Sequence, residues 1–160
     1  MINHPISVWV IRFLSIMTKD EEFMLKALAE ARAAYDAGEI PIGAVIVCNG
    51  KIISRAHNMT ETLHDPTAHA EMLAITAATD FLGGKYLQGC TIYVTVEPCV
   101  MCAGALSWVQ VSRIVFGCSD EKRGYQRFAP QALHPRTEVT MHVMEQECIE
   151  LMQSFFKEKR

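Results

Sequence analysis

The sequence predicts an α/β domain in which helices cover both faces of one five-stranded sheet. Two observations predict this class. Segments with helical spacing of apolar residues alternate with short β-branched runs, in the order α-β-β-α-β-α-β-loop-β-α. Half of the 160 residues are apolar, which suffices for one buried core without disulfides. We therefore expect residues 18–160 to form one domain, preceded by an N-terminal appendage at residues 1–17.

The appendage differs in composition from the rest of the chain. Its apolar stretch runs from Ile6 to Met17, is interrupted by Arg12, and is shorter than the roughly 20 residues that span a bilayer. It also lacks the basic start and small-residue cleavage site of a signal peptide. We expect no membrane segment here, and a translation start at Met17 is a hypothesis.

The first element is an amphipathic helix over residues 18–37 that ends at Gly38. Thr18 and Asp20 can each cap its start. Apolar side chains recur at helical spacing: Met24, Leu28, Ala31 and Tyr35. A β-hairpin follows, in which residues 41–48 and 51–56 are the strands and Asn49-Gly50 is a strong two-residue turn signal.

Two further helices are predicted around a central strand. Asp65 is the expected cap of the first and Pro66 its first residue, with an alanine-rich continuation to residue 78. Residues 91–96 form the strand, and Pro98 opens the second helix, which runs to about residue 108.

The remaining part of the chain is less regular. Residues 113–118 predict a short strand, and the segment up to residue 136 predicts a loop with at most a short helix. Residues 139–143 form a weaker strand. A terminal amphipathic helix is marked by four apolar residues at helical spacing: Met144, Cys148, Leu151 and Phe155.

Candidate metal ligands occur at the starts of the two middle helices. His69 and Glu71 lie near one helix start, and Cys99 and Cys102 lie at the next. Cysteines three residues apart at a helix start share a face, and the N-terminal dipole favours thiolates, the form that binds metals. One metal ion can therefore join the histidine to both cysteines.

Three protein ligands leave one position of a tetrahedral zinc ion open, as a catalytic site requires. Glu71, which is not a ligand in this interpretation, is the candidate general acid and base. The alternative is a closed structural site, which needs a fourth ligand. Four spare thiols are expected to pack as small apolar groups instead: Cys48, Cys90, Cys118 and Cys148.

Charge and cysteine content indicate which partners and which cellular compartment to expect. The formal net charge of −3 gives no general attraction to nucleic acid, so any RNA contact must come from local basic patches. Two patches stand out: Lys122, Arg123 and Arg127 in one loop, whose Tyr125 and Phe128 could stack on RNA bases, and Lys157, Lys159 and Arg160 at the chain end. Both are equally compatible with a solvated surface. Six cysteines without a secretory leader indicate reduced thiols and a cytoplasmic location.

Together, H-x-E and P-C-x-x-C form the signature of zinc-dependent nucleobase deaminases. Residues 41–45, Asn58, residues 65–71 and residues 96–105 resemble the cytidine and deoxycytidylate deaminase superfamily, and most closely its bacterial tRNA-specific adenosine deaminases. The resemblance extends from about residue 20 to the chain end. It implies a three-layer α/β/α fold with a single mixed sheet and one Zn²⁺ per chain.

The resemblance also implies a homodimer that converts the wobble adenosine of a tRNA anticodon loop to inosine. By matched position, Asn58 would bind the substrate nucleoside, and the backbone N–H groups of Ala70 and Cys99 would hold the base or the attacking oxygen. Ile40 and Val100 would form walls of the base pocket. For Asn58, the alternative is a turn residue whose side chain caps local backbone.

Two features depart from that subfamily. The loop at residues 122–128 is bulkier and more basic than the small-residue run that is usual there. Trp108, at the end of the second zinc helix, is a feature similar to the free guanine deaminases of the same superfamily, although a buried core position is the commoner use of tryptophan. The alternatives are therefore a free-base deaminase acting on guanine or cytosine, and a catalytically inert, zinc-stabilised RNA-binding protein. The presence of Glu71 argues against the inert protein.

Overall fold

The computed structural model describes residues 16–159, and within them it confirms the predicted class and element order. The helices are α1 (Lys19–Asp36), α2 (Ala70–Leu82), α3 (Val100–Trp108), the single turn α4 (Tyr125–Phe128) and α5 (Glu145–Glu158). The strands are β1 (Gly43–Cys48), β2 (Lys51–His57), β3 (Cys90–Val96), β4 (Arg113–Cys118) and β5 (Glu138–Thr140).

The strands form one mixed sheet in the order β2-β1-β3-β4-β5. Strand β1 pairs antiparallel with β2 and β3, whereas β4 runs parallel to β3 and β5 runs parallel to β4. The carboxyl ends of β3 and β4 therefore lie at the same edge of the sheet, where Val96 pairs with Cys118. The segments that follow these two strands begin side by side at that edge.

Alternation along the strands divides the core into two layers. One face of the sheet packs against α2 and α3 through fully buried side chains: Ile46, Ile92, Val94, Ile114, Phe116, Ala74 and Leu106. The other face packs against α1 and α5: Val45, Val47, Val115, Met24, Ala27 and Cys148. Each fully buried large apolar side chain contributes about 1.5–3 kcal/mol to folding. The predicted three-layer architecture is thus confirmed.

Local signals set the first helix and the hairpin as predicted. The Thr18 hydroxyl accepts a hydrogen bond from the Glu21 backbone N–H at 3.1 Å, and the Glu21 carboxylate accepts one from Thr18 N, which together form a capping box. Asn49 and Gly50 have φ values of 52° and 75°, the left-handed backbone that a two-residue turn of this kind requires.

The predicted helix start at Asp65 and Pro66 was wrong. The Asp65 carboxylate accepts hydrogen bonds from the backbone N–H and the hydroxyl of Thr67, at 2.8 and 2.7 Å. Asp65 therefore closes a local turn, and the side chain is no longer available to cap a helix. Helix α2 begins only at Ala70, with His69 as its N-cap.

The last strand is shorter than predicted. Strand β5 covers Glu138–Thr140, and residues 141–143 continue outside the sheet. The predicted appendage at residues 1–17 lies outside the described residues, apart from its last two. Between residues 16 and 159, no helix combines the length and apolar character needed to cross a bilayer.

A partly buried ion pair fastens α1 to the sheet. The two carboxylate oxygens of Asp20 accept hydrogen bonds from the Arg113 guanidinium at 2.8 and 2.6 Å, and the Tyr93 hydroxyl donates to the same carboxylate at 2.8 Å. The Asp20 and Arg113 side chains are about a quarter exposed. The Arg113 hydrogen bonds hold the pKa of Asp20 below its usual value, despite the opposing effect of burial.

Replacing Asp20 by Asn should lower the free energy of unfolding by about 1–2 kcal/mol at neutral pH, because Arg113 keeps only a neutral partner. The pKa of Asp20 is lower in the folded than in the unfolded chain. Its contribution is therefore complete above the unfolded-state pKa of about 3.9 and is lost as pH falls through the folded-state value. Urea denaturation at a series of pH values should show the two proteins converging below about pH 4.

Glu22→Gln is the matched control on the same helix. It breaks the Lys19–Glu22 pair, whose side chains are 83% and 46% exposed, and should change the unfolding free energy by less than about 0.5 kcal/mol. Equal losses in the two variants would contradict the assignment.

Candidate metal centre

The candidate metal centre forms where α2 and α3 begin, next to the carboxyl end of β3. His69 is the N-cap of α2 and Cys99 is the N-cap of α3, and neither side chain caps its own helix by a hydrogen bond. Cys102 lies in the first turn of α3. The fold therefore brings together three side chains that are separated by as many as 33 positions in the chain.

The spacing of these side chains fits a tetrahedral metal site. His69 Nδ1 lies 3.6 Å from Cys99 Sγ and 3.5 Å from Cys102 Sγ, and the three ligand atoms lie within 4.8 Å of one another. A nitrogen and a sulfur at ordinary zinc bond lengths and a tetrahedral angle are about 3.6 Å apart. The two nitrogen–sulfur distances therefore fit a tetrahedral zinc ion.

The group has three members among residues 16–159, and no other His, Cys, Asp or Glu side chain in that range completes it. Cys102 is fully buried, whereas His69 and Cys99 are partly exposed. The spare thiols pack in the core as expected: Cys90, Cys118 and Cys148 are buried, and Cys48 is half-buried. A closed four-ligand site is therefore not formed by these residues.

The electrostatic environment favours a thiolate at Cys99. A hydrogen bond with Cys102, helped by the neighbouring His69, lowers the pKa of the Cys99 thiol to about 4 against the effect of burial. The same hydrogen bond and burial raise the pKa of Cys102. Cys99 is thus the more acidic thiol of the two, and a cation would draw both sulfurs into the thiolate form.

Glu71 lies beside the ligands in the first turn of α2, and its side chain is only 4% exposed. Burial raises the pKa of its carboxyl group to about 7, with a further contribution from Cys99. A carboxyl group with a pKa near neutrality can both accept and donate a proton under physiological conditions. Glu71 therefore has the location and the acidity of a proton carrier.

The predicted substrate-contacting residues lie on segments that border these helix starts. Ala70 and Val100 are the first residues of α2 and α3, and Ile40 and Val100 are 38% and 42% exposed. Asn58 is 5% exposed, its Nδ2 donates to the Ile40 carbonyl at 3.5 Å, and its Oδ1 accepts from Thr60 N at 3.3 Å. Asn58 thus has the local backbone role weighed above, and substrate contact by these four residues remains a prediction.

Sequence reasoning missed two buried carboxylates near the site, Glu39 and Glu97. The Glu97 carboxylate accepts hydrogen bonds from Asp120 N at 3.1 Å and Gln126 N at 3.0 Å. A Cβ atom on Gly124 would overlap this carboxylate, so only glycine allows the close approach. The one available signal was position, since each acid directly adjoins the apolar run of a strand.

Through Glu97, the basic loop is docked on the segment that carries Cys99. Tyr125 N also donates to the Pro98 carbonyl at 2.9 Å. Lys122, Arg123 and Arg127 remain exposed. The Arg127 guanidinium stacks on Phe128, whose side chain is 59% exposed.

Two aromatic residues differ from their sequence-based interpretation. Tyr125, a candidate for stacking on RNA bases, has a side chain that is only 3% exposed and packs in the core beside α3. Trp108 is 84% exposed, so the core position weighed for it was wrong. It stands at the end of α3, a helix that also exposes Val100 and Met101.

The similarity of this chain to known proteins extends well beyond the residues of the candidate metal centre. Residues 17–118 match the family profile described as the cytidine and deoxycytidylate deaminase zinc-binding region. A tRNA-specific adenosine deaminase of Bacillus subtilis (strain 168) is 46% identical over 149 residues, covering 90% of this chain and 92% of that protein.

Two solved structures bear on the substrate. One comes from a study of A-to-I editing by tRNA:A34 deaminases at the wobble position of transfer RNA; it is 41% identical, has a TM-score of 0.77, and covers 81% of this chain and 98% of its own. A guanine deaminase from Bacillus subtilis is 40% identical with a TM-score of 0.59, over 62% of this chain and 64% of its own.

Proposed function

The chain belongs to the cytidine and deoxycytidylate deaminase family, and we propose that it hydrolyses the wobble adenosine of tRNA to inosine with release of ammonia. The observation that carries the proposal is similarity to a tRNA-specific adenosine deaminase along nearly the whole of both chains. Similarity to the guanine deaminase structure extends over a smaller part of the chain. In this proposal, residues 18–160 form the deaminase domain.

His69, Cys99 and Cys102 would hold one Zn²⁺ per chain. Their ligand atoms have tetrahedral spacing, and one of the two thiols is already acidic, which supports this assignment. A zinc ion with three protein ligands supplies acidified water as the nucleophile for hydrolysis at neutral pH.

Glu71 would carry the protons of the reaction. Its carboxylate accepts a proton from the attacking water, and the carboxylic acid then donates to N1 of the adenine ring as C6 is attacked. A second proton passes through the same carboxyl group to the departing amino group, which leaves as ammonia. Burial of Glu71 supports the role, because a carboxyl group shielded from bulk water keeps the transferred proton within the site.

The substrate would enter as a base flipped out of a single-stranded loop. Asn58, Ile40, Ala70 and Val100 would bind the nucleoside, and the exposed cations of the loop at residues 122–128 would meet phosphates of the anticodon loop. A free-base deaminase is the second candidate, supported by the partial similarity to the guanine deaminase. The exposed basic loop favours RNA, because a free base carries no phosphate.

The active unit would be a homodimer joined through α3. This helix exposes Val100, Met101 and Trp108 to solvent, and large exposed apolar groups on one helix are typical of protein interfaces. A cytoplasmic location would follow from the tRNA substrate. The six cysteines, none of which is in a disulfide, also fit a reducing compartment.

The substrate is tested by measuring ammonia release from transcribed tRNA with adenosine at the wobble position, in parallel with guanine, cytosine and cytidine. We expect activity on the tRNA alone, together with inosine at the wobble position. A tRNA with guanosine at that position is the matched control and should be inert. Activity on free guanine without activity on tRNA would establish the second candidate in its place.

Glu71→Ala should retain zinc at the level of the unmodified protein and reduce kcat by about 10²–10⁴-fold, because only the proton carrier is removed. His69→Ala should instead lose zinc as well as activity. Metal analysis and inosine formation, measured on the same preparations, separate the two effects. Turnover by Glu71→Ala at the unmodified rate would show that another group moves the protons.

Trp108→Glu should shift the protein from dimer to monomer in light scattering, because a charge would be buried in an apolar interface. Phe156→Glu is the matched control: Phe156 is 45% exposed but lies on α5, in the opposite layer. The control should remain dimeric. A dimer that tolerates Trp108→Glu but is broken by Phe156→Glu would place the interface in the other layer.

A further inference from the structure

We propose that Glu39 is a positioning residue. Its carboxylate holds Ile40 and Asn58, which are predicted to bind the base, at a fixed position relative to the metal ligands. The inference rests on the proposed function, because it assigns those two residues to the substrate. Glu39 itself touches neither the substrate nor the metal. It acts through the backbone of the two segments that carry Ile40 and Asn58.

Glu39 is a fully buried carboxylate between α1 and β1, with a relative exposure of 0%. Within the described part of the chain, no lysine or arginine forms an ion pair with it. Its partners are on the loop that follows β2: Oε1 accepts from Glu61 N at 3.0 Å, and Oε2 accepts from Thr62 N at 2.8 Å and the Thr62 hydroxyl at 2.7 Å. Three hydrogen bonds thus replace the lost hydration.

The same two segments are also joined by contacts of Asn58. Asn58 N donates to the Ile42 carbonyl at 3.0 Å, and Asn58 Nδ2 donates to the Ile40 carbonyl at 3.5 Å. The second of these contacts is long and weak. The Glu39 carboxylate adds three shorter side-chain contacts to this link between the segment that carries Ile40 and the loop that begins at Asn58.

The loop held by Glu39 leads directly to the metal centre. Met59 N donates to the Ala68 carbonyl at 3.0 Å, which closes the loop one residue before His69. A shift of the loop would therefore move Asn58 relative to His69, while Cys99 and Cys102, on the separate helix α3, would stay in place. A displaced Asn58 would bind the substrate more weakly, whereas the metal ligands on α3 would be undisturbed.

The geometry calls for a carboxylate at this position. All three groups that face Glu39 are donors, and an ionised carboxylate has only acceptors to offer them. A glutamine of the same shape would turn its NH₂ group toward one of these N–H or O–H donors. Glu39→Gln therefore preserves the side-chain volume and removes the hydrogen bonding of one carboxylate oxygen to the loop.

The test compares the steady-state kinetics of Glu39→Gln on the wobble-adenosine tRNA with its zinc content. We expect KM to rise about tenfold, kcat to change by less than about threefold, and zinc to remain at the unmodified level, because substrate positioning is lost while the ligands stay. Amide hydrogen exchange provides a readout without substrate: the Glu61 and Thr62 N–H groups should exchange faster in the variant.

Glu61→Gln is the matched control. It removes one carboxylate from the same loop, but the Glu61 side chain is exposed, and its backbone N–H contact with Glu39 is preserved. KM and exchange should be unchanged. Thr62→Val, which removes the hydroxyl contact alone, should show a smaller effect in the same direction and serves if Glu39→Gln does not fold.

Three outcomes would overturn the proposal: an unchanged KM, unchanged exchange at residues 61 and 62, or a loss of zinc and kcat in step with thermal stability. The last would show that Glu39 only supports the fold. Failure of the proposed function is a separate result, visible as absent inosine formation by the unmodified protein. In that case, the exchange measurement still tests whether Glu39 holds the loop.

Discussion

The site depends on the convergence of two helix starts at one point beyond the carboxyl end of β3. Neither helix supplies three ligands by itself: His69 precedes α2, whereas Cys99 and Cys102 belong to the start of α3. The sheet and the core beneath α2 and α3 hold the distance between them. Because that core is close-packed, the three ligand atoms stay within a few ångströms without a disulfide or other covalent link.

Three buried carboxylates lie on, or bind to, the segments that lead to this point of convergence: Glu39, Glu71 and Glu97. Glu39 and Glu97 accept hydrogen bonds from loop N–H groups, which compensate for lost hydration and attach one loop to each carboxylate. Glu71 lies among the ligands, where burial raises its pKa toward neutrality. Glu39 and Glu97 are therefore suited to structural roles. Glu71, whose lost hydration is compensated less fully, is the acid suited to move protons.

The errors of the sequence-based prediction have two different physical causes. Asp65 and Pro66 carry a strong helix-start pattern, but a local turn captured the Asp65 carboxylate and delayed α2 to Ala70. Tyr125 is buried and Trp108 is exposed, the reverse of the prediction. Neither periodicity nor composition shows which face of a short helix packs against a neighbouring element. Acids that border apolar strands, as Glu39 does, appear in a sequence as ordinary surface residues.

Local spacing and side-chain chemistry were enough to predict the fold class, the hairpin, the element order and the candidate metal ligands. The folded structure was needed to see that the ligand atoms of His69, Cys99 and Cys102 lie at distances that suit a zinc ion, and that Glu39 and Glu97 are buried. Both depend on contacts between residues distant in the chain. Such contacts are set by how strands pair and helices pack, and local periodicity carries no record of them.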